Sequence, residues 1–326
     1  MFQSPTCLRA PNDSPRRWRL WNCASGPLPL ALLARVIHGM RNFLVFLFIS
    51  AIAAGDDPAP VRILVYTRSQ TFIHPVVKPQ GDQPSVVDRT CIDLGAKHGW
   101  QVTCTKDGGH FTTERLKAFD VLLFYTTGDL TKPGGDQQPP MPPDGKQAYL
   151  DLVASGRGFI GLHCASDTFH SKPDPKAAVP SLDPHVAMLG GEFIVHGAQQ
   201  KATVQVVDPA FPGIGGFAKD GTDIMEEWYA LKHFPADLHV LLTLTTAGMK
   251  GAMYQRPNYP VAWIRTHGAG RVFYTALGHR EDVWTNPRFT DLLVGAVSWG
   301  AGRVAADTTP NLAQAAPQAN FLSQPK

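Results

Sequence analysis

Seven side chains able to bind a metal or move a proton fall at or just past predicted strands: His74, Asp129, His163, Asp167, His196, Glu227 and His279. Histidine with carboxylate suits two tasks. A neutral imidazole ligates a divalent cation such as zinc, and its proton exchange near neutral pH suits acid–base work. No HExxH or similar local signature ties two ligands together, so a metal site rests on convergence in space alone. Each residue also has a plainer reading. A lone loop histidine is more often solvated or capping, Asp167 can cap a helix, and Glu226-Glu227 can be a solvated pair. His98, His110, His233, His239 and His267 keep the plainer reading.

The central stretch is Gly156-Arg-Gly-Phe-Ile-Gly-Leu-His-Cys-Ala-Ser-Asp-Thr-Phe-His170. It reads as a short buried strand, Gly158 to Leu162, running into a sharp turn and a helical start. Polar groups follow at once: His163, Cys164, Ser166, Asp167, Thr168 and His170. An open α/β sheet presents chemistry in this way, because ligands sit outside the carboxyl ends of its strands. An elbow at His163 would carry about 1–3 kcal/mol of backbone strain. Cys164 suggests a different chemistry, a thiol nucleophile with a histidine base. Against it, no Gly-x-Cys-x-Gly is present, and His163 rather than Cys164 holds the elbow.

The elements that must position these groups follow from periodicity. Val61–Tyr66, Gln101–Thr105, Asp120–Thr126 and Gly158–Leu162 read as strands. Helices separate them: one around Val86–His98 ended by Gly99, a short one at Thr113–Phe119, and one from Asp144 stopped by Gly156. This βαβαβαβ order predicts an open, mostly parallel sheet with helices on both faces. The second half is richer in β-structure. It offers a helix near Pro184–Leu189, strands around Gly190–His196, Ala202–Val207 and His239–Thr245, and a hairpin of Val261–Arg265 with Arg271–Thr275. A last helix is capped by Asn286-Pro287. From Ala305 the chain is Ala/Pro/Gln-rich and reads as a disordered tail.

Composition narrows the classes. The 326 residues include 44% hydrophobic and 17% charged, enough for one large domain or two small ones. The net charge of +3 is carried by the first 39 residues, which hold five arginines against one aspartate and leave −1 from Met40 onward. No basic stripe remains for nucleic acid. Met40–Gly55 has the form of a secretory signal peptide, with a positive start, an apolar run and Ala51-Ile-Ala53 as a small-x-small cleavage pattern. Residues 1–39 then read as a misassigned gene start, with translation beginning at Met40 and the mature protein exported. A long leader using Arg16-Arg17 and an uncleaved anchor are the alternatives. Cys91, Cys104 and Cys164 follow the leader without a CxxC; an odd number leaves at least one free thiol, and Cys91 and Cys104 read as core.

The central motif resembles that of the ThuA (trehalose-utilisation) family. The resemblance continues through Thr67–His74, Thr126-Thr-Gly-Asp129, Gly190–His196, Glu226-Glu-Trp-Tyr229 and Arg271–His279, and covers roughly residues 60–302. It implies a fold like that of class I glutamine amidotransferases, with the catalytic cysteine position altered. It also implies a role in carbohydrate metabolism, on disaccharides or their keto derivatives. Cys164 beside the elbow histidine and the Pro-rich insertion Lys132–Pro143 depart from the family pattern.

These readings combine into an expected exported carbohydrate enzyme with no membrane span. His163, Asp167 and Glu227 are its catalytic candidates, with Asp167 orienting His163. Asp129, Trp228 and Tyr229 are substrate contacts, the aromatics stacking on a sugar ring or filling the core. His74, His196 and His279 are metal ligands. A non-catalytic carbohydrate-binding module on the same scaffold is the alternative.

Overall fold

The computed structural model describes residues 59–172 and 181–322. The expected leader, 1–39, and signal segment, 40–54, lie outside the described residues. Its centre is a nine-stranded sheet. β1 (Arg62–Tyr66), β2 (Gln101–Thr105), β3 (Val121–Phe124) and β4 (Gly158–Leu162) make the parallel part, and β11 (Gly270–Thr275) joins them as the parallel neighbour of β4. β10 (Tyr259–His267), β9 (His239–Leu244), β6 (Gln200–Val206) and β7 (Thr222–Glu226) continue it antiparallel, giving the order β2-β1-β3-β4-β11-β10-β9-β6-β7. A separate two-stranded sheet pairs β5 (Glu192–His196) with β8 (Tyr229–Lys232).

The helices divide between the faces. α1 (Val86–His98), α5 (Glu281–Trp284) and α6 (Pro287–Gly300) contact one another on one side; α2 (Thr113–Leu116), α3 (Gly145–Ala154) and α4 (Pro184–Leu189) do so on the other. Strand alternation explains the split. On β11, Phe273 packs toward Trp299 of α6 through Phe211, while Tyr274 packs on Trp263. On β4, Phe159 meets Tyr149 and His185 on the α3–α4 face, and a Cβ at Gly158 would come within 2.7 Å of the Gly300 carbonyl on the other. Every residue of β3 and β4 is buried, as a strand covered on both faces requires. No helix among the described residues is long and apolar enough to cross a membrane.

One alternative is set aside and one expectation corrected. The plainer reading of Glu226-Glu227 as a solvated pair does not hold: Glu226 ends β7, and both side chains are buried. The segment from Ala305 was expected to be disordered on composition, yet it packs through residue 322. It contains α7 (Leu312–Ala315), and Leu312, Ala316 and Ala319 are buried. The reason lies in backbone groups its asparagines satisfy. β6 pairs with β9 only from Leu242 to Leu244, and beyond that the Asn311 side chain accepts from Val240 N at 2.6 Å and donates to Val240 O at 3.1 Å. Asn320 does the same for Phe234, at 3.0 and 2.8 Å. Replacing Asn311 with alanine is expected to cost about 1–3 kcal/mol by leaving buried backbone groups unpaired. Urea unfolding of Asn311→Ala measures this, and a merely decorative tail would show no change.

Candidate functional site

Three loops leave the carboxyl ends of parallel strands and each brings one histidine to the same place: His74 after β1, His163 directly after β4, His279 after β11. Their ring centroids form a near-equilateral triangle with sides of 5.2, 5.3 and 5.2 Å, and the rings meet edge to face. Glu227, from the turn between β7 and β8, closes the group. One ligand atom from each of the four residues lies within 4.8 Å of all the others. The donor atoms of a tetrahedral zinc site stand about 3.4 Å apart, given bonds near 2.1 Å, so a small contraction would seat an ion.

The local chain explains each placement. His163 begins the 3-10 helix His163–Asp167 with φ of 42°, the left-handed region where a side chain is strained. Strong bonds hold it there. Its Nδ1–H donates to Ala276 O at 2.9 Å, and its carbonyl accepts from Tyr274 Oη at 2.8 Å and Ser166 Oγ at 3.1 Å. The Nδ1 bond leaves Nε2 as the bare acceptor, a pattern that orients metal-ligating histidines. His74 stands at the start of the 3-10 turn Pro75–Val77, with Nε2 at 3.4 Å from the Tyr229 hydroxyl. Gly278, with φ of 118°, turns the chain after β11 so that His279 reaches inward.

The electrostatics are unusual for a buried cluster. His74 Nδ1, His163 Nε2 and His279 Nδ1 are buried and have no hydrogen-bond partner. His279 Nδ1 is 3.0 Å from Glu227 Oε2 and His163 Nε2 is 3.7 Å away, close but not aligned as hydrogen bonds. Buried polar atoms are nearly always partnered, so three bare nitrogens around one carboxylate mark a place for a cation. Burial, aided by the neighbouring His163 and His279, lowers the His74 imidazole to about 2 and keeps it neutral, the form that ligates. Burial opposes ionisation of Glu227, but the His163 and His279 imidazoles outweigh it and hold the carboxyl well below the usual range.

Other expected residues fall elsewhere. His196 stands at the mouth, its side chain 43% exposed, with Nδ1 3.2 Å from Glu227 Oε1 and 3.0 Å from Gly197 O; it touches the ligand set without joining it. Asp167 does not orient His163: its Oδ1 takes His170 Nε2 at 2.5 Å, because the 3-10 helix turns it toward the following loop. Trp228 is fully buried and donates to Gln200 O, so it is core rather than a sugar platform. Tyr229 is buried as well, but its ring lies 4.0 Å from that of His163 and lines the cluster. Asp129 lies outside the cluster, accepting from Thr131, in a cleft of about 520 Å³ shared with Gln70, Lys146 and His170. The Cys164 thiol is buried, and burial pushes it well above its ordinary value, so a thiolate nucleophile has no support there. Sequence reasoning missed Phe72, which is 59% exposed with its ring 4.8 Å from that of His74. Its place two residues before His74, a candidate ligand, was the available signal.

Together these features define an α/β protein with a histidine–carboxylate centre at the carboxyl rim of its parallel strands. The model of the ThuA family, described as trehalose utilisation, matches residues 62–300, and the chain belongs to that family. The ThuA assignment points to carbohydrate metabolism. Among solved structures, a ThuA-like protein of Bacteroides uniformis is similar at 21% identity and TM-score 0.53, covering 76% of this chain and 94% of that one. Another, from Parabacteroides merdae, is similar at 16% identity and TM-score 0.50, covering 76% and 92%. Both show the same fold. No curated protein matches the chain in sequence.

The imidazoles near the site also set a pH dependence. His170 bonds Asp167 and, through Nδ1 at 3.1 Å, Glu192; these two carboxylates raise it to about 9. Its contribution to stability is full below the unfolded value of 6.5 and is lost as pH rises through about 9. His74 and His185, lowered by burial to about 2 and about 4, act oppositely: below 6.5 the unfolded chain takes up protons that the fold refuses, and stability falls. Urea midpoints measured against pH should therefore decline on both sides of neutrality. His170→Gln should flatten the decline between pH 6.5 and 9.

Proposed function

We propose that the His74–His163–Glu227–His279 cluster holds a divalent cation such as zinc. On this reading the protein is an exported enzyme acting on a disaccharide or one of its keto derivatives. The observation that carries the proposal is the set of three buried, unpartnered imidazole nitrogens around one ionised carboxylate. Three neutral nitrogens and one anionic oxygen suit zinc and its first-row neighbours, and are too nitrogen-rich for magnesium or calcium. A bound ion would supply Lewis-acid polarisation of a sugar oxygen.

The chain's own residues divide the remaining work. Glu227 contributes the negative charge that anchors a cation. His163 is held in one tautomer by Ala276 O. His196, half-exposed and bonded through Nδ1 beside Glu227, is the imidazole placed to exchange a proton with a substrate hydroxyl. Phe72 offers an exposed aromatic face beside His74, replacing Trp228 as the surface for a sugar ring. Asp129 and His170 line a separate cleft that could take further hydroxyls. The family's description and the apolar Met40–Gly55 segment support the carbohydrate role and export, respectively.

Elemental analysis of the purified protein is expected to find about one divalent ion per chain. A panel of trehalose and keto-disaccharides is expected to be turned over by the loaded protein. His163→Ala should remove the ion and lower turnover by at least about a thousandfold, while circular dichroism stays native. An ion-free protein with unchanged turnover in His163→Ala would reject the proposal. Sugar binding without product would favour the non-catalytic module.

A further inference from the structure

Glu226 is the carboxylate that the proposed chemistry does not use. It is fully buried at the end of β7, and burial raises its carboxyl above the ordinary range. It is nevertheless placed with care. Oε1 accepts from the backbone N–H of Glu227 at 2.8 Å, and Oε2 accepts from the backbone N–H of Gly278 at 2.9 Å. Each N–H lies at or directly before a member of the cluster: Glu227 itself, and His279 one residue past Gly278.

These two ligands arrive from distant parts of the sheet. β7 is its outer antiparallel edge, whereas β11 lies at its centre, four strands away in the sheet order. The two strands are not paired directly, and three strands stand between them. One carboxylate spans the gap instead. Gly278 is gripped from its other side too, since its carbonyl accepts from Tyr125 Oη at 3.1 Å and Trp284 Nε1 at 2.8 Å. His74 and His163 are held differently, by the loop after β1 and by Ala276 O.

We infer that Glu226 is a positioning residue that sets the distance between Glu227 and His279, and so tunes how tightly the cluster holds a divalent cation. The inference rests on the metal reading above, and concerns a residue that itself touches no ion. Backbone-directed outer partners of this kind typically alter metal affinity by about 10–100-fold. Glutamine at this position keeps one acceptor oxygen and turns the other into a donor facing an N–H, which it cannot satisfy.

Zinc affinity measured by calorimetry on the full chain tests it. Glu226→Gln is expected to bind zinc about 10–100-fold more weakly than the wild type. Tyr125→Phe, which removes one hydroxyl from the far side of Gly278, is expected to lose about three- to tenfold and decides the matter if Glu226→Gln does not fold. In a His279→Ala background the Glu226→Gln loss should shrink, because one of the two groups it places has gone. In a His74→Ala background it should persist in full. A purely structural role for Glu226 would give equal losses in both backgrounds, and that result overturns the inference, as does unchanged zinc binding in both Glu226→Gln and Tyr125→Phe. A wild type that takes up no zinc would instead reject the metal reading, and the inference with it.

Discussion

A carboxylate ionised in a desolvated setting is the constraint around which the molecule is arranged. Glu227 is nearly buried, and alone it would rather be protonated. Its charge persists because the His163 and His279 imidazoles stand beside it. Those imidazoles and that of His74 gain little from one another: packed edge to face, they leave three nitrogens without partners. The proposed cation would resolve both demands together, neutralising the carboxylate and supplying the missing partner for each lone pair. The strained backbone at His163 and the positive φ at Gly278 are the geometric conditions for bringing these groups so close.

The sheet supplies the frame. β1, β4 and β11 run in the same direction, so the loops beyond them open on one rim, where α/β proteins place their ligands. The antiparallel half contributes differently. β7 and β8 bring Glu226, Glu227 and Tyr229 in from the side, and Tyr229 completes the wall against His163. The ThuA-like proteins of Bacteroides uniformis and Parabacteroides merdae share this fold at low identity.

Much of this was legible in the chain. The apolar runs of β1, β3 and β4 are bounded by glycine or polar turns and fully buried, so period and length agree. The turn after Leu162 announces itself through the polar burst that follows. What stayed hidden depended on distant partners. Glu227 was a candidate from its place near a strand, but its partners were not legible: only the folded chain shows Glu226 accepting backbone N–H groups while Glu227 meets histidines. Trp228 is buried and the unassigned Phe72 exposed for the same reason, since exposure is set by what packs on top of a residue and not by its type. The Ala/Pro/Gln composition after Ala305 suggested disorder, but two asparagines that pair otherwise open backbone groups anchor it.

The insertion of β11 beside β4 separates neighbours in space by more than a hundred residues of chain, as the His163–Ala276 bond measures directly. The first four strands can pair among themselves, yet any fragment ending short of residue 279 lacks a ligand and leaves the elbow without its acceptor. Capture of the proposed ion would thereby be coupled to completion of the whole sheet. A partly made chain would present an incomplete cluster, and occupancy of the centre would report that the last third of the polypeptide has docked.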